Sequence, residues 1–318
     1  MKLKFINHAS YLVENEKTIL LHDPWLEGRA FNNGWELLSQ EIGNLEMIEY
    51  LVQSKKSIFI WVSHEHSDHF SIPFLKELKA SGLRCKFLFQ TTTDKRAIKY
   101  LKHLKFDVIE CIDGKEYELD KNFHLSVYSY YSGDAFCFLR TKEKNILNIN
   151  DCVINSELEA KNLLNRLPDS CKIDILFTQF AYANWIGRKE DLEQKKKQAQ
   201  EKFKRIVIQD SVFNPKAIIP FASFINFCKD DNFHLNETQN TPNSLRQSII
   251  LTNIQKKITF MKPLQVITCD NNFLSNLQLN TSQAEDYWNR LFSNKKNITL
   301  VKDSDSVKIN EIIIKGKE

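Results

Sequence analysis

The sequence predicts a mixed α/β protein. Two observations carry this: the chain opens with three short runs of β character separated by polar turns, and its middle alternates apolar strands with amphipathic helices. A third points the same way, because "SIFIWVS" at 57–63 is nearly continuous in apolar residues, as a strand buried on both faces should be.

Taken in order, "KLKFI" (2–6), "SYLVE" (10–14) and "TILLH" (18–22) read as an opening meander punctuated by Asn7 and by the "NEK" turn. Strand 57–63 stops at His64. Ser71 then caps a helix whose first turn accepts Pro73, whose apolar face is Phe74, Leu75 and Leu78, and which ends at Gly82. Strand 86–90, helix 94–104 and strand 106–111 follow, then a "DG" turn at 113–114 and an antiparallel stretch whose last hairpin, 135–150, turns at Lys142 to Lys144. Beyond it come a helix near 155–166, a strand at 174–178, a charged helix from about Arg188 to Lys204, the closing strand region 217–227 and a helix around 242–256. With no internal repeat and no low-complexity linker, the simplest division is a catalytic domain over 1–262 and an extension over 263–318, packed on it and carrying a helix at 282–292.

The chain has 318 residues, 42% hydrophobic and 26% charged, which is ordinary for a globular protein with a large core. A net charge of +4 is too weak a bias to argue for a nucleic-acid partner, but it suits a small anionic substrate steered by local Lys and Arg. Seven cysteines lie singly and none forms a C-x-x-C pair, which argues against a zinc knuckle and against a secreted disulfide framework. The opening residues turn polar too soon for a signal peptide, and no run is long enough for a membrane span, so the expectation is a cytoplasmic protein with no membrane association.

The chemistry concentrates in "WVSHEHSDHF" (61–70), where three of the eight histidines fall within six positions. Positions i and i+2 of an extended loop point the same way, so His64 and His66 can serve one ion. Asp68 and His69, past the bend at Ser67, can face a second. H-x-H-x-D-H is thus a compact way to build a two-metal site, and its place at a strand-to-helix junction is the context such a site needs. The bland alternative is a solvated loop capping the next helix. His22, His103 and His124, each alone, read as ordinary strand or helix residues.

"SHEHSDH" resembles the signature of the metallo-β-lactamase superfamily, which implies a four-layer αββα sandwich with metals at the edge between two sheets. "NHASYLVENEKTILLHDPWLEG" is similar to the opening of the superfamily's lactonase-like branch. That likeness makes Asp23 a carboxylate supporting the metal histidines from behind. His8 lines the cleft beside it or is a polar strand end. The same resemblance places Asp151, at the end of "NILNINDC", between the two ions, and makes Asp68 and Asp151 catalytic as well as ligating. Two family positions lack their histidine: "YYSGDAF" offers Asp134, with His124 as fallback, and the late strand "IIPFASF" leaves His234 or water. "DPWLEGRAFNNGWELL", "SHEHSDHFSIPFLKEL", "NILNINDC" and "IPFASF" with "NETQNTPNSL" are together similar to the catalytic domain of the CMP-N-acetylneuraminate hydroxylases over most of residues 5 to 250.

That resemblance implies two divalent ions, with iron favoured over zinc or manganese. It also implies a non-haem iron oxygenase acting on a sialic-acid-like or nucleotide-activated sugar. No cysteine has a histidine at the C-x-H or C-x-x-H spacing of a Rieske cluster, so no iron–sulfur centre is expected in this chain, and electrons would come from a separate ferredoxin or reductase. The alternative is a zinc- or manganese-dependent hydrolase whose bridging hydroxide attacks a phosphoester, lactone or amide. For the substrate rim, Trp25, Arg29, Phe31 and Trp35 in "DPWLEGRAFNNGW" and Trp185 and Arg188 in "FAYANWIGRKE" supply aromatic and guanidinium groups for stacking and anion pairing; the alternative for the first loop is a packed Ω-type loop whose tryptophans serve only the core.

Overall fold

A computed structural model describes residues 1–182, 186–294, 298, 300 and 301. Two sheets face each other. The first has seven strands in the order Val266–Thr268, Lys2–Asn7, Ser10–Glu14, Thr18–His22, Ser57–Val62, Lys86–Gln90, Asp107–Cys111. The second has six, in the order Ala217–Phe221, Ile175–Gln179, Asn145–Asn148, Ala135–Thr141, Phe123–Ser129, Glu116–Asp120. A small third sheet joins Ile225–Phe227, Trp35–Leu37 and Arg29–Ala30.

Alternation along the strands sorts the layers. On Ser57–Val62, Ile58, Ile60 and Val62 pack with Met47, Ile48 and Leu51 of helix Asn44–Ser54 and with Phe74, Leu75 and Leu78 of helix Ile72–Ala80. Phe59 and Trp61, one residue out of phase, join Leu3, Phe5 and Leu20 against Leu125, Val127, Phe136 and Phe138 of the second sheet. Helices Glu157–Leu164 and Leu192–Phe213 cover the far side through Leu163, Phe203 and Ile206. This is the αββα sandwich that the resemblance implied.

Three segments differ from the sequence reading. The charged helix runs to Phe213, because the buried stripe Ala199, Phe203, Ile206, Phe213 continues beyond the Lys-rich part. The region 217–227 is two strands in different sheets, split at Ala222, whose φ is +47°. Helix 242–256 ends at Gln247, where Ser248 turns extended before a short 3₁₀ turn at Ile249–Leu251. In the extension, Val266–Thr268 pairs antiparallel with Lys2–Lys4, and Trp288 of helix Phe273–Ser293 stacks on Phe224 with ring centroids 3.8 Å apart. Among the described residues no helix is long and apolar enough to cross a membrane.

Strands Thr18–His22, Ser57–Val62, Asn145–Asn148, Ile175–Gln179 and Ala217–Phe221 each pair in parallel with a neighbour. Open α/β sheets gather ligands beyond the carboxyl ends of such strands. There the backbone leaves its ordinary range: Asp23, Asn150 and Ala222 have φ of +40°, +45° and +47°. A left-handed non-glycine residue costs about 1–3 kcal/mol and persists only where its surroundings hold it.

Candidate metal centre

Asp23 is the pivot of the site. Fully buried just past strand Thr18–His22, it accepts the Ser63 backbone N–H on Oδ1 at 2.8 Å. Its Oδ2 accepts the Ser63 hydroxyl at 2.9 Å, the Asn150 side-chain amide at 2.8 Å and the Nδ1–H of His69 at 3.0 Å. Ser63 has one hydroxyl proton and gives it to Asp23, so its oxygen is free to accept from His64 Nδ1 at 2.9 Å. One carboxylate therefore fixes the tautomer of two imidazoles, His69 directly and His64 through Ser63, and leaves both Nε2 lone pairs facing outward.

What those lone pairs face decides the chemistry. His69 Nε2 lies 3.3 Å from Asp68 Oδ2 and 3.5 Å from Asp151 Oδ2, and His8 Nε2 lies 3.4 Å from the same Asp68 oxygen. His64 Nε2 is 2.8 Å from His66 Nδ1, 3.8 Å from Asp151 Oδ2 and 3.9 Å from Asp134 Oδ1. The donor atoms fall into three overlapping sets, each spanning no more than 4.8 Å: His8, Asp68 and His69; His64, His66 and Asp134; His64, His69 and Asp151. Of the atoms that converge, His69 Nε2 is buried without a hydrogen-bond partner; Asp68 Oδ1 and His8 Nδ1, the second donor atoms of the pair that meets through Asp68 Oδ2 and His8 Nε2, are unpartnered too. Bare lone pairs converging on one another repel unless a cation or protons sit among them, so nitrogen and oxygen donors in these sets fit two small divalent ions.

The electrostatics of the bare protein report the same tension. Burial pulls His69 down, yet the carboxylates of Asp68, Asp151 and Asp23 outweigh it and hold its imidazolium well above the usual histidine range, so a proton stands in for the cation. Burial and the neighbouring His69 push His64 down to about 4. Burial and the charge of Asp151 push Asp134 up to about 6. Against the cost of burial, His69 and His64 hold Asp151 down to about 2.

The chain matches no protein-family profile. It is 25% identical over 268 residues to the inactive cytidine monophosphate-N-acetylneuraminic acid hydroxylase of Homo sapiens, covering 78% of this chain and 50% of the relative. To the cytidine monophosphate-N-acetylneuraminic acid hydroxylase of Xenopus laevis it is 22% identical over 272 residues, covering 82% and 44%. It thus spans about half the length of these curated relatives. Among solved structures it aligns with the metallo-β-lactamase fold protein YhfI from Bacillus subtilis at a TM-score of 0.50 and 12% identity, covering 84% of this chain and 99% of that one. This chain has the metallo-β-lactamase fold. A variant of CmlA β-hydroxylase aligns with a TM-score of 0.54 at 13% identity, over 84% of this chain and 53% of that one. The isothiocyanate hydrolase from Delia radicum gut bacteria gives 0.54 at 15% identity, over 84% and 99%.

Within this fold the sequence-selected residues separate into three groups. His64, His66, Asp68, His69, Asp134 and Asp151 converge, and Asp23 stands behind them. His8 does more than line the cleft: its ring joins Asp68 and His69 among the inner donors, and its backbone carbonyl accepts the Ala222 N–H at 2.7 Å, at the end of the late strand that lacks a histidine. His234 is elsewhere, in a 3₁₀ turn with Nδ1 3.1 Å from Lys195 Nζ, and His124 lies beside Glu116 on strand Phe123–Ser129. Neither supplies a donor to the centre.

The rim differs more from expectation. Trp25 is 2% exposed and meets His8 edge-on at 5.6 Å, while Trp35 packs against Phe31 and Phe227, so both tryptophans serve the core and offer no face to a ligand. Arg29 pairs with Glu36 at 3.2 Å. Arg188 is exposed, with its backbone N–H bound to Asp191, and Trp185 lies outside the described residues. The aromatic that does reach the mouth is Phe31, 5.6 Å from His66, on a turn where Phe31, Asn32 and Asn33 all have positive φ and the Phe31 N–H donates to Ser67 Oγ. Ser63, Asn150, Gln90 and Gln179 escaped the sequence reading. Gln90 donates to the carbonyls of Ser63 and Gly133, tying the loop that carries Asp134 to the histidine strand. A cavity of about 330 Å³, lined by His64, His66, Thr92, Thr93, Arg96 and Gly133 among others, opens beside the outer donors.

Proposed function

We propose that this chain is a metal-dependent enzyme with a dinuclear centre, and that its reaction is hydroxylation of a small anionic, sugar-like substrate with electrons from a separate donor. The observation that carries the reading is the donor composition. His8, His69 and Asp68 form one two-histidine, one-carboxylate set, His64, His66 and Asp134 form another, and Asp151 adjoins both. That composition suits non-haem iron, and Asp134 in place of a third outer imidazole adds negative charge, which favours a harder, more oxidised ion. Sequence similarity to the Xenopus laevis hydroxylase over 82% of the chain supports the same choice.

His8, Asp68 and His69 would hold the inner ion, His64, His66 and Asp134 the outer, and Asp151 would reach both. When bound, such a pair supplies redox chemistry toward dioxygen if it is iron and Lewis acidity if it is zinc or manganese. The chain's own part is positioning. Asp23 and Ser63 hold the two Nδ1 atoms and so aim both Nε2 atoms at the centre, burial of His8, Asp68 and His69 keeps water from that side, and the cavity beside His64 and His66 admits the substrate. Its polar lining of Thr92, Thr93, Asp94 and Arg96 suits a hydroxyl-rich molecule.

The test is metal analysis of protein purified in air, paired with visible spectroscopy. About two iron atoms per chain with an absorption band support hydroxylation. Colourless protein with zinc, together with hydrolysis of phosphoester or lactone probes, transfers the assignment to the hydrolase, and no bound metal under any loading condition removes both.

A further inference from the structure

We propose that Lys202 is a positioning residue for the shared carboxylate, acting through Gln179 to fix which oxygen of Asp151 faces the two histidines. The inference rests on the dinuclear reading above. Lys202 projects from helix Leu192–Phe213, and its ammonium donates to Gln179 Oε1 at 2.6 Å. Gln179 ends strand Ile175–Gln179, and its Nε2 donates to Asp151 Oδ1 at 2.7 Å. Asp151 Oδ2 is then the oxygen left for the centre, 3.8 Å from His64 Nε2 and 3.5 Å from His69 Nε2.

The chain of contacts has one consistent polarity. An ammonium has donors and no acceptor, whereas a carboxylate has acceptors and no donor. A flip of the Gln179 amide would set its NH₂ against the ammonium and its carbonyl against Asp151, turning two attractive contacts into two repulsive ones. Lys202 has no carboxylate within 4.0 Å among the described residues, and burial with the neighbouring Arg205 pulls it down to about 7, so its hold on Gln179 Oε1 is a donor's contact and not an ordinary ion pair. Arg205, one turn along the same helix face, instead donates to Asn155 Oδ1 at 2.9 Å and leaves Gln179 to Lys202 alone. With the amide locked, Oδ1 is occupied and Asp151 would have a single oxygen, Oδ2, to offer the centre. Without the lock, Asp151 is free to rotate and offer one oxygen to each.

Cobalt(II) titration of the metal-free full chain tests this, because cobalt reports affinity, stoichiometry and coordination geometry together. Lys202→Met is expected to keep the wild-type melting temperature, weaken binding at least about 10-fold, as loss of an outer partner of a ligand does, and change the visible cobalt spectrum. Lys202→Arg restores affinity and spectrum, and Gln179→Glu, which sets a second carboxylate against Asp151, alters the spectrum further. Wild-type affinity and spectrum in Lys202→Met overturn the proposal. So does a loss that Lys202→Arg fails to rescue and that comes with a lowered melting temperature, since that is a packing role. Wild-type protein that binds no cobalt at all refutes the dinuclear reading itself. Two bound ions in wild type with an indifferent Lys202→Met refute only the role of Lys202.

Discussion

The two donor sets are built from the same residue types and differ in where those residues come from. His8, Asp68 and His69 all follow strands of the first sheet and are at most 3% exposed. The outer set takes His64 and His66 from the first sheet but Asp134 from the second, and His66 is open to solvent. The inner set is part of a core and the outer set is part of a mouth. In the proposed dinuclear centre, identical ligand chemistry would thereby be given two tasks: the inner position would hold an ion against loss, and the outer one would leave room for a molecule to approach.

His69→Ala is expected to have the largest effect on folding. It leaves Asp23, Asp68 and Asp151 without the imidazolium that separates them in metal-free protein, and breaking a buried charge arrangement of this kind costs about 3–5 kcal/mol in urea unfolding. His66→Ala, at an exposed position, should change unfolding by no more than about 0.5 kcal/mol while lowering metal content toward one ion per chain. Equal costs for the two variants would erase the distinction between core and mouth.

The inner side also carries His22, fully buried, stacked on Tyr11 at 4.0 Å and without a hydrogen bond on either ring nitrogen. Burial pushes it down to about 3. A base whose pKa is lower in the folded than in the unfolded state contributes its full stability above the unfolded value near 6.5. That contribution is lost as the pH falls from there toward 3, at about 1.4 kcal/mol per pH unit. His22→Phe should flatten this part of the acid-unfolding profile of the metal-free protein. An unchanged slope would mean His22 is not the group that titrates.

Asp23→Asn sharpens the comparison, since Asp23 supports one histidine of each set. Metal affinity should fall about 10- to 100-fold at both positions. Loss at the inner position alone would show that Ser63 holds His64 unaided. Phe31→Ala should leave metal content unchanged and raise the KM for substrate by roughly five-fold, about 1 kcal/mol, through a lost aromatic contact at the mouth.

The outer histidines and the strand before them were readable because a local pattern places them: alternation brings "FIWV" into the sheet, and i, i+2 spacing aims His64 and His66 together. Asp23, Asp134 and Asp151 were reached through resemblance, which identifies positions and says nothing of contacts. His8 gave a weak signal, a histidine in a two-residue turn between strands, and its place among the inner donors depends on Asp68 arriving from sixty residues away. Asn150, Gln179 and Lys202 gave none, because their partners meet only when the second sheet packs. Aromatics in a loop read equally as a stacking surface or as core, and the structure decides for Trp25 and Trp35: the loop folds into its own small sheet, burying Trp35 against Phe227 and setting Trp25 edge-on to His8.

One consequence follows from the split parentage of the outer set. Because Asp134 and Asp151 ride on one half of the sandwich and all the histidine donors on the other, a cation shared between them, as proposed, would work as a rivet across the seam. Sliding one half over the other by an ångström would leave the His8 cluster intact yet pull the rivet apart. Loading the centre should therefore slow hydrogen exchange along the seam between the halves far more than on the helices outside it.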